Sequence, residues 1–297
     1  MKNIKNIKII VLAGAILCIT SLIISCSNSS DTIKESQIDT STPILSDLDI
    51  WLRSNFVEPY NIEVSYLWGA SDTDIARFLY PMDEVGVKRW SETIKKTWIA
   101  PFNTLGGDDF IANIAPRQIV FSGGFNYNPN SPTITLGIAE AGTRITFFNL
   151  DFLDYSDVNS IRQPLRTLHH EYAHILNQKF PFSDDFGLIT PADYTAQWFN
   201  LGFDEFGNPD PSTYLDLGFI TPYAASQDSE DFVEIIAIML TNSRADFEAI
   251  INSASPQGQA FIRQKLEIVL SYFQENFNID LYELQELTYQ ALIDSLD

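Results

Sequence analysis

The spacing of apolar residues predicts a mixture of helices and short strands in the first half of the folded chain. Apolar positions recur every three or four residues over 45–52 and 85–99, which is the period of an amphipathic helix. Ser46 or Asp47 can cap the first of these helices. Strands are predicted where residues alternate, or are β-branched and aromatic, at 60–66, 118–121, 133–136 and 143–148.

Helical spacing dominates the second half of the chain. It predicts a central helix at about 160–179 and, towards the C-terminus, further helices at about 228–241, 245–253, 257–277 and 280–296. Between them, residues 181–227 are rich in Pro, Gly and aromatic residues and have no clear period. Because strands come first and helices last, the pattern indicates an α+β architecture, with a small mixed sheet before the central helix and a helical C-terminal part.

The N-terminus has the pattern of a secretory leader. Three lysines precede an apolar run over 9–24, which is short for a transmembrane helix and typical of a signal peptide. The run ends in Ile23-Ile24-Ser25-Cys26, which resembles a bacterial lipobox and implies cleavage before Cys26 and a diacylglycerol on its sulfur. An uncleaved anchor helix, or a plain secretory signal with an incidental cysteine, is the alternative. We therefore expect a signal peptide over 1–25, a polar tether over 26–44 and a folded domain over 45–297.

Composition and charge exclude several classes of protein. Hydrophobic residues make up 45% and charged residues 19% of the chain, an ordinary globular balance. The net charge of −21 repels phosphate backbones and anionic lipids, so we expect no nucleic-acid partner and a membrane attachment that is covalent or hydrophobic. Cys18 would leave with the leader and Cys26 would be acylated, so no disulfide is expected.

The central helix carries the chain's three histidines in the sequence His169-His170-Glu171-Tyr172-Ala173-His174, which contains an HExxH motif. Residues four apart face the same way on a helix, so His170 and His174 can bind one zinc ion. Glu171 can take a proton from water at the metal and pass it to a leaving group. His169 points about 100° away from His170, so we expect it to pack rather than to bind metal.

The alternative is an ordinary amphipathic helix with solvated histidines. Apolar residues on more than one side of the helix argue against it, because buried imidazoles need partners. These residues are Ile161, Leu165, Leu168, Tyr172, Ile175 and Leu176.

The third protein ligand must be a carboxylate, since the chain has no further histidine. Glu230 and Glu234 are four apart on a strongly apolar predicted helix, where two acids on one face are costly without a cation or donor. We predict Glu230 as the ligand and Glu234 as the acceptor of a hydrogen bond from a zinc-bound histidine. A capping acid with a solvated acid is one alternative, and ligation by Asp184 or Asp185, just beyond the central helix, is another.

HExxH followed by a glutamate on a later helix resembles the gluzincin pattern. The spacing from Tyr223 to Glu230 is similar to that in toxin-type gluzincins of the lethal-factor class, which have a Tyr seven residues before the ligand Glu. More closely, the chain resembles the substrate import-associated zinc metallohydrolase lipoproteins, also described as zinc-binding metallopeptidases. The shared marks are the lipobox, Pro59-Tyr60-Asn61-Ile62 with Tyr66, the Gly-containing strands, His169-His170-Glu171 with His174-Ile175-Leu176, and Glu230-Asp231-Phe232.

This resemblance implies a zincin-like fold and a lipoprotein of the bacterial outer membrane and cell surface, working beside a TonB-dependent importer. It implies hydrolysis of a peptide or protein substrate with zinc as cofactor, and donation from Tyr223 to the developing oxyanion. In zincins an edge strand before the catalytic helix aligns the peptide, and residues 143–149 are the candidate. A zinc-containing binding lipoprotein without catalysis, or a hydrolase of a non-peptide bond, is the alternative function.

Overall fold

The computed structural model describes residues 44–69, 77, 79–127, 134–135, 137–140 and 143–297. The predicted leader, Cys26 and nearly all of the predicted tether lie outside the described residues. Residues 45–297 form one unit by their internal contacts. No described helix combines the length and the apolar run that a membrane crossing requires.

The helices follow the predicted order closely. In chain order they are α1 (Asp47–Leu52, continued by Arg53–Val57 and Glu58–Tyr60), α2 (Glu84–Ile94, continued by Lys95–Ile99 and Ala100–Gly106), α3 (Phe110–Ile114), α4 (Val158–Lys179), α5 (Ser212–Leu215), α6 (Asp228–Thr241), α7 (Arg244–Asn252), α8 (Pro256–Phe277) and α9 (Leu281–Ile293). Ser46 caps α1 as predicted: its side chain accepts from the backbone N–H of Asp49, whose carboxylate accepts from the Ser46 N–H in return.

A small mixed sheet lies before α4 in the sequence. The strands are β1 (Glu63–Ser65), β2 (Gln118–Phe121), β3 (Asn126–Tyr127), β4 (Ile134–Thr135), β5 (Gly137–Glu140), β6 (Arg144–Phe147), β7 (Gly202–Phe203) and β8 (Pro209–Asp210). Four of them form a sheet in the order β1-β2-β6-β5, in which β1, β2 and β6 are parallel and β5 is antiparallel to β6. The pairs β3–β4 and β7–β8 are separate two-stranded ribbons.

Two strand predictions need correction. The strand predicted over 60–66 exists only as β1, because Tyr60 still belongs to the last turn of α1 and Asn61 ends that helix in the left-handed conformation, with φ 54°. The prediction that residues 143–149 form the edge strand is wrong, because β6 pairs with β2 on one side and β5 on the other. Within the described residues, β5 forms this edge of the sheet.

The core joins the sheet to the helices and centres on α6. Trp90 of α2 packs edge-on against Phe147 of β6, with ring centroids 6.1 Å apart. Helix α6 contacts α4, α8 and α9, and every residue from Glu230 to Thr241 is buried. A helix that is buried all round accounts for the nearly continuous apolar sequence of this segment. The molecule is therefore a mixed α/β protein with a small sheet and a helical C-terminal part, as the sequence predicts.

Candidate metal centre

Helices α4 and α6 face each other through a row of polar side chains on α4 at four-residue spacing. Arg162 donates from Nε to the Thr241 carbonyl at 3.1 Å, and Arg166, one turn later, pairs with the Glu234 carboxylate. His170 and His174 continue the same face. The side chain of Asp157 caps the start of α4 by accepting from the Asn159 N–H. The packing of two regular helices thus fixes where the two histidines point.

Three side chains from these helices converge on one point. Glu230 Oε2 lies 3.1 Å from His170 Nε2 and 3.2 Å from His174 Nε2, and the two nitrogens are 3.2 Å apart. Ligands of a tetrahedral zinc ion, at about 2.0–2.2 Å from the metal, are about 3.3–3.6 Å from one another. The observed spacings are close to one face of such a tetrahedron. Among the described residues, this is the group of histidines and acids whose donor atoms could hold a metal ion.

The hydrogen bond of His170 to Glu234 shows why this point favours a cation. His170 Nδ1 lies 2.8 Å from Glu234 Oε1. An ionised carboxylate only accepts, so Nδ1 carries a proton, and Nε2 presents a lone pair whenever the ring is neutral. Nε2 therefore directs its lone pair towards the carboxylate of Glu230, which also offers only lone pairs. A proton on Nε2 or a metal ion at this point resolves the conflict, and two imidazole nitrogens with one carboxylate oxygen are a donor set that fits zinc.

Electrostatics at the centre act in the same direction. Burial lowers the pKa of His170, but its hydrogen bonds to the Glu230 and Glu234 carboxylates outweigh it and raise the pKa to about 9. Burial raises the pKa of Glu230, but the two imidazoles outweigh it and hold that pKa well below its usual value. Burial also raises the pKa of Glu234, but the charge of Arg166 and the contact with His170 lower it to about 2. The two carboxylates stay ionised and favour positive charge at His170, whether a proton or a metal ion carries it.

Glu171 and Tyr223 lie beside the three converging groups. Glu171 follows His170 on the helix, and its charge contributes to raising the pKa of both His170 and Tyr223. The ring of Tyr223 is tilted over that of His170, with centroids 5.8 Å apart, and the residue is 37% exposed. Burial, followed by the charges of Glu230 and Glu171, raises the pKa of the Tyr223 hydroxyl. This hydroxyl is therefore protonated at neutral pH and can donate a hydrogen bond.

The remaining candidate residues lie elsewhere. His169 is buried against Phe102, with ring centroids 6.2 Å apart, and burial lowers its pKa to about 3, so it packs as a neutral ring. Asp184 and Asp185 are exposed, and neither belongs to the converging group. The structure thus brings Glu230, rather than either aspartate, to the two histidines; metal coordination by these three residues stays a prediction.

Sequence reasoning missed three residues that hold the centre in place. Arg166 pairs with Glu234, Thr221 donates to the same Glu234 oxygen at 2.5 Å, and Gln227 donates from Nε2 to Glu230 at 3.2 Å. Arg166 could have been found, because it lies four residues before His170 on the same helix face. Thr221 could not, because it lies in the segment without a clear period.

The fold and the centre together define the class of this protein: a mixed α/β protein whose candidate metal centre joins an HExxH helix to a glutamate on a second helix. Residues 42–282 match the model of a family described as "Putative zinc-binding metallo-peptidase". Because the match spans most of the chain, this protein belongs to that family.

A solved structure is similar over nearly the whole of its length. It is the crystal structure of "a putative zinc-binding metallo-peptidase from Bacteroides caccae ATCC 43185", which is 30% identical in sequence. The similarity covers 85% of this chain and 95% of that one, with a TM-score of 0.71. No curated protein matches this sequence.

Proposed function

We propose that this protein is a zinc-dependent peptidase of the gluzincin type with a zincin-like fold. The observation that supports this most is the convergence of His170, His174 and Glu230, with Glu171 beside them. Two histidines and one carboxylate are the protein ligands of catalytic zinc sites that keep a fourth position open. The family to which the chain belongs has the same proposed activity in its description.

The reaction we propose is hydrolysis of a peptide bond by water. Zinc bound by His170, His174 and Glu230 would supply Lewis-acid activation of the water and the scissile carbonyl. Glu171 takes the proton of the attacking water and then delivers it to the leaving amine. The Tyr223 hydroxyl donates a hydrogen bond to the carbonyl oxygen as negative charge develops there. Glu234 holds His170 in the tautomer that presents Nε2.

The edge strand β5 is the proposed guide for the substrate backbone. It replaces residues 143–149 in this role, because an edge strand offers unpaired backbone groups to an extended peptide. β5 lies against the HExxH helix: a Cβ added at Gly137 would come within 2.2 Å of Thr167, one turn before His170. Only glycine permits this approach of the strand to the HExxH helix.

Cleavage of a random peptide library by the zinc-loaded protein tests the proposal. We expect cleavage that stops with a chelator and returns with zinc. Glu171→Gln should keep zinc and fold but lose about 10²–10⁴-fold in turnover, because an amide cannot accept the proton of water. Glu286→Gln, at an exposed position of α9, is the matched control and should cleave like wild type. Near wild-type turnover in Glu171→Gln would contradict the mechanism, and absence of any zinc-dependent cleavage would favour a binding lipoprotein or a non-peptide hydrolase.

We also propose that the protein is a lipoprotein of the outer-membrane surface that works beside a TonB-dependent importer. The lipobox-like sequence ending at Cys26 and the resemblance to import-associated lipoproteins support this. Cys26→Ala should release the protein from the membrane fraction of cells. Continued attachment with the leader retained would instead indicate an anchor helix.

A further inference from the structure

Aromatic rings continue outward from the metal centre along the segment that precedes α6. The Tyr223 ring lies over His170, and Trp198 packs edge-on against Tyr223, with centroids 4.9 Å apart and the planes at 72°. Phe199 follows, with its ring centroid 6.1 Å from that of Trp198. We refer to Trp198, Phe199 and Tyr223 as the aromatic surface.

Part of the aromatic surface is open to solvent. Phe199 and Tyr223 are exposed, at 56% and 37%, and Trp198 is half-buried. Contiguous apolar surface beside a polar centre is characteristic of a binding site. In this protein the apolar surface is continuous with the candidate metal centre through the ring of Tyr223.

Backbone and side-chain contacts hold the aromatic surface in place. The Thr195 N–H donates to the Ala225 carbonyl at 2.8 Å, which ties the segment before Trp198 to the short helix Tyr223–Ser226. Trp198 also packs against a small buried cluster formed by Phe219, Ala224 and Ala225. The aromatic surface is therefore pre-organised, and a ligand would lose little free energy in ordering it.

We propose that the aromatic surface binds a large apolar side chain of the peptide substrate, within about three residues of the scissile bond. The inference rests on the proposed function, which supplies a peptide as the occupant. The ring-to-ring steps of 5.8 Å and 4.9 Å from His170 to Trp198 fit this reach, since an extended chain advances about 3.3–3.6 Å per residue. An acidic side chain is disfavoured, because Glu171 and Glu230 lie near Tyr223 and the chain has a net charge of −21.

Binding to the zinc-loaded Glu171→Gln protein, measured by calorimetry, tests the inference without turnover. The probes are blocked random peptide pools that differ only in one fixed residue: Phe, Leu, Ala or Asp. We expect the Phe pool to bind about tenfold or more tightly than the Ala pool, and the Asp pool to bind most weakly. Phe199→Ala in the same background should remove most of this preference. Trp198→Phe, which keeps a ring against the buried cluster, should reduce the preference.

Phe206→Ala is the control, because Phe206 is an 81% exposed aromatic of the same segment that makes no ring contact with the aromatic surface in the described structure. It should keep the preference. Equal affinity for the four pools, or equal loss in Phe206→Ala and Phe199→Ala, would overturn the inference. So would Phe199→Ala losing binding to phosphatidylcholine vesicles while the peptide preference is unchanged. If wild type cleaves nothing but Glu171→Gln shows the preference, the peptidase proposal fails and the binding inference stands.

Discussion

Glu234 receives three donors with its two carboxylate oxygens. One oxygen accepts from His170, and the other from Arg166 and Thr221. The side chain is 3% exposed, so these contacts replace nearly all of its hydration. This residue does not belong to the converging donor group, yet it sets the orientation and tautomer of His170.

The residue-scale prediction is that Glu234→Gln weakens zinc binding about 10–100-fold. The amide can still accept from His170, but it carries no charge to stabilise the metal-bound imidazole. Arg166 is 38% exposed, so water can partly solvate its unpaired charge and the fold should survive. Competition titration against a zinc-binding dye measures the affinity, and Glu283→Gln on the exposed face of α9 is the control. Unchanged affinity in Glu234→Gln would show that His170 does not depend on this carboxylate.

At the scale of elements, α6 and α8 meet through a buried ion pair. Lys265 Nζ lies 2.6 Å from Asp231 Oδ2, and both side chains are 0% exposed. Lys265 also donates to the Gly218 carbonyl at 2.8 Å, and the Tyr194 hydroxyl donates to the same Asp231 oxygen at 2.9 Å. These contacts attach the segment before α6, which carries the aromatic surface, to both helices.

We predict that Lys265→Met lowers the free energy of unfolding by about 3–5 kcal/mol, because it leaves the Asp231 carboxylate buried without its cation. Urea denaturation measures the loss. Adding Asp231→Leu to Lys265→Met should recover part of it, since removing both charges removes the desolvation penalty. The exposed Lys96→Met is the control. A loss below about 1 kcal/mol in Lys265→Met would mean that the pair contributes no more than a surface ion pair.

The elements differ in how far the sequence predicts them. Helix α6 begins and ends where the sequence predicts. Acidic residues mark its first turn, and a long apolar run after them is typical of a buried helix. The strand predicted over 60–66 is present only as Glu63–Ser65, because α1 continues to Tyr60 and ends at Asn61 in the left-handed conformation. The segment 181–227 shows no periodic spacing of apolar residues. Its conformation depends on tertiary contacts, such as the hydrogen bond from Lys265 to the Gly218 carbonyl.

The same reasoning separates the parts of the candidate site. The pairing of His170 and His174 could be predicted, since helix geometry alone places them together. The approach of Glu230 could be inferred from the lack of a further histidine and from its same-face spacing with Glu234, whereas its position depends on how α4 packs against α6. The roles of Thr221 and Trp198 could not be predicted, since both lie in the non-periodic segment and contact Glu234 and Tyr223, respectively, only in the folded chain.

At the scale of the whole molecule, the converging groups come from two helices that are far apart in sequence. A metal bound there contacts α4 and α6 together and binds the folded chain far better than the unfolded one. Binding therefore stabilises the fold by about 2.7 kcal/mol when free zinc is a hundred times its dissociation constant.

We predict that a chelator lowers the melting temperature by about 5–10 °C, at roughly 2–4 °C per kcal/mol for a domain of this size. Scanning calorimetry with and without zinc measures the change. His174→Ala should melt at the same temperature under both conditions, since it loses one of the three donors. The same response in His174→Ala as in wild type would place the stabilising metal elsewhere.

The central claim is that His170, His174 and Glu230 hold one zinc ion, and elemental analysis of the purified protein tests it most directly. We predict one zinc per chain in wild type, almost none in His174→Ala and a sharp decrease in Glu230→Gln, because each variant removes one of the three converging donors. Asp184→Asn, which changes an exposed carboxylate near the end of α4, should keep its zinc. Full zinc in Glu230→Gln, with loss in Asp184→Asn, would contradict the account.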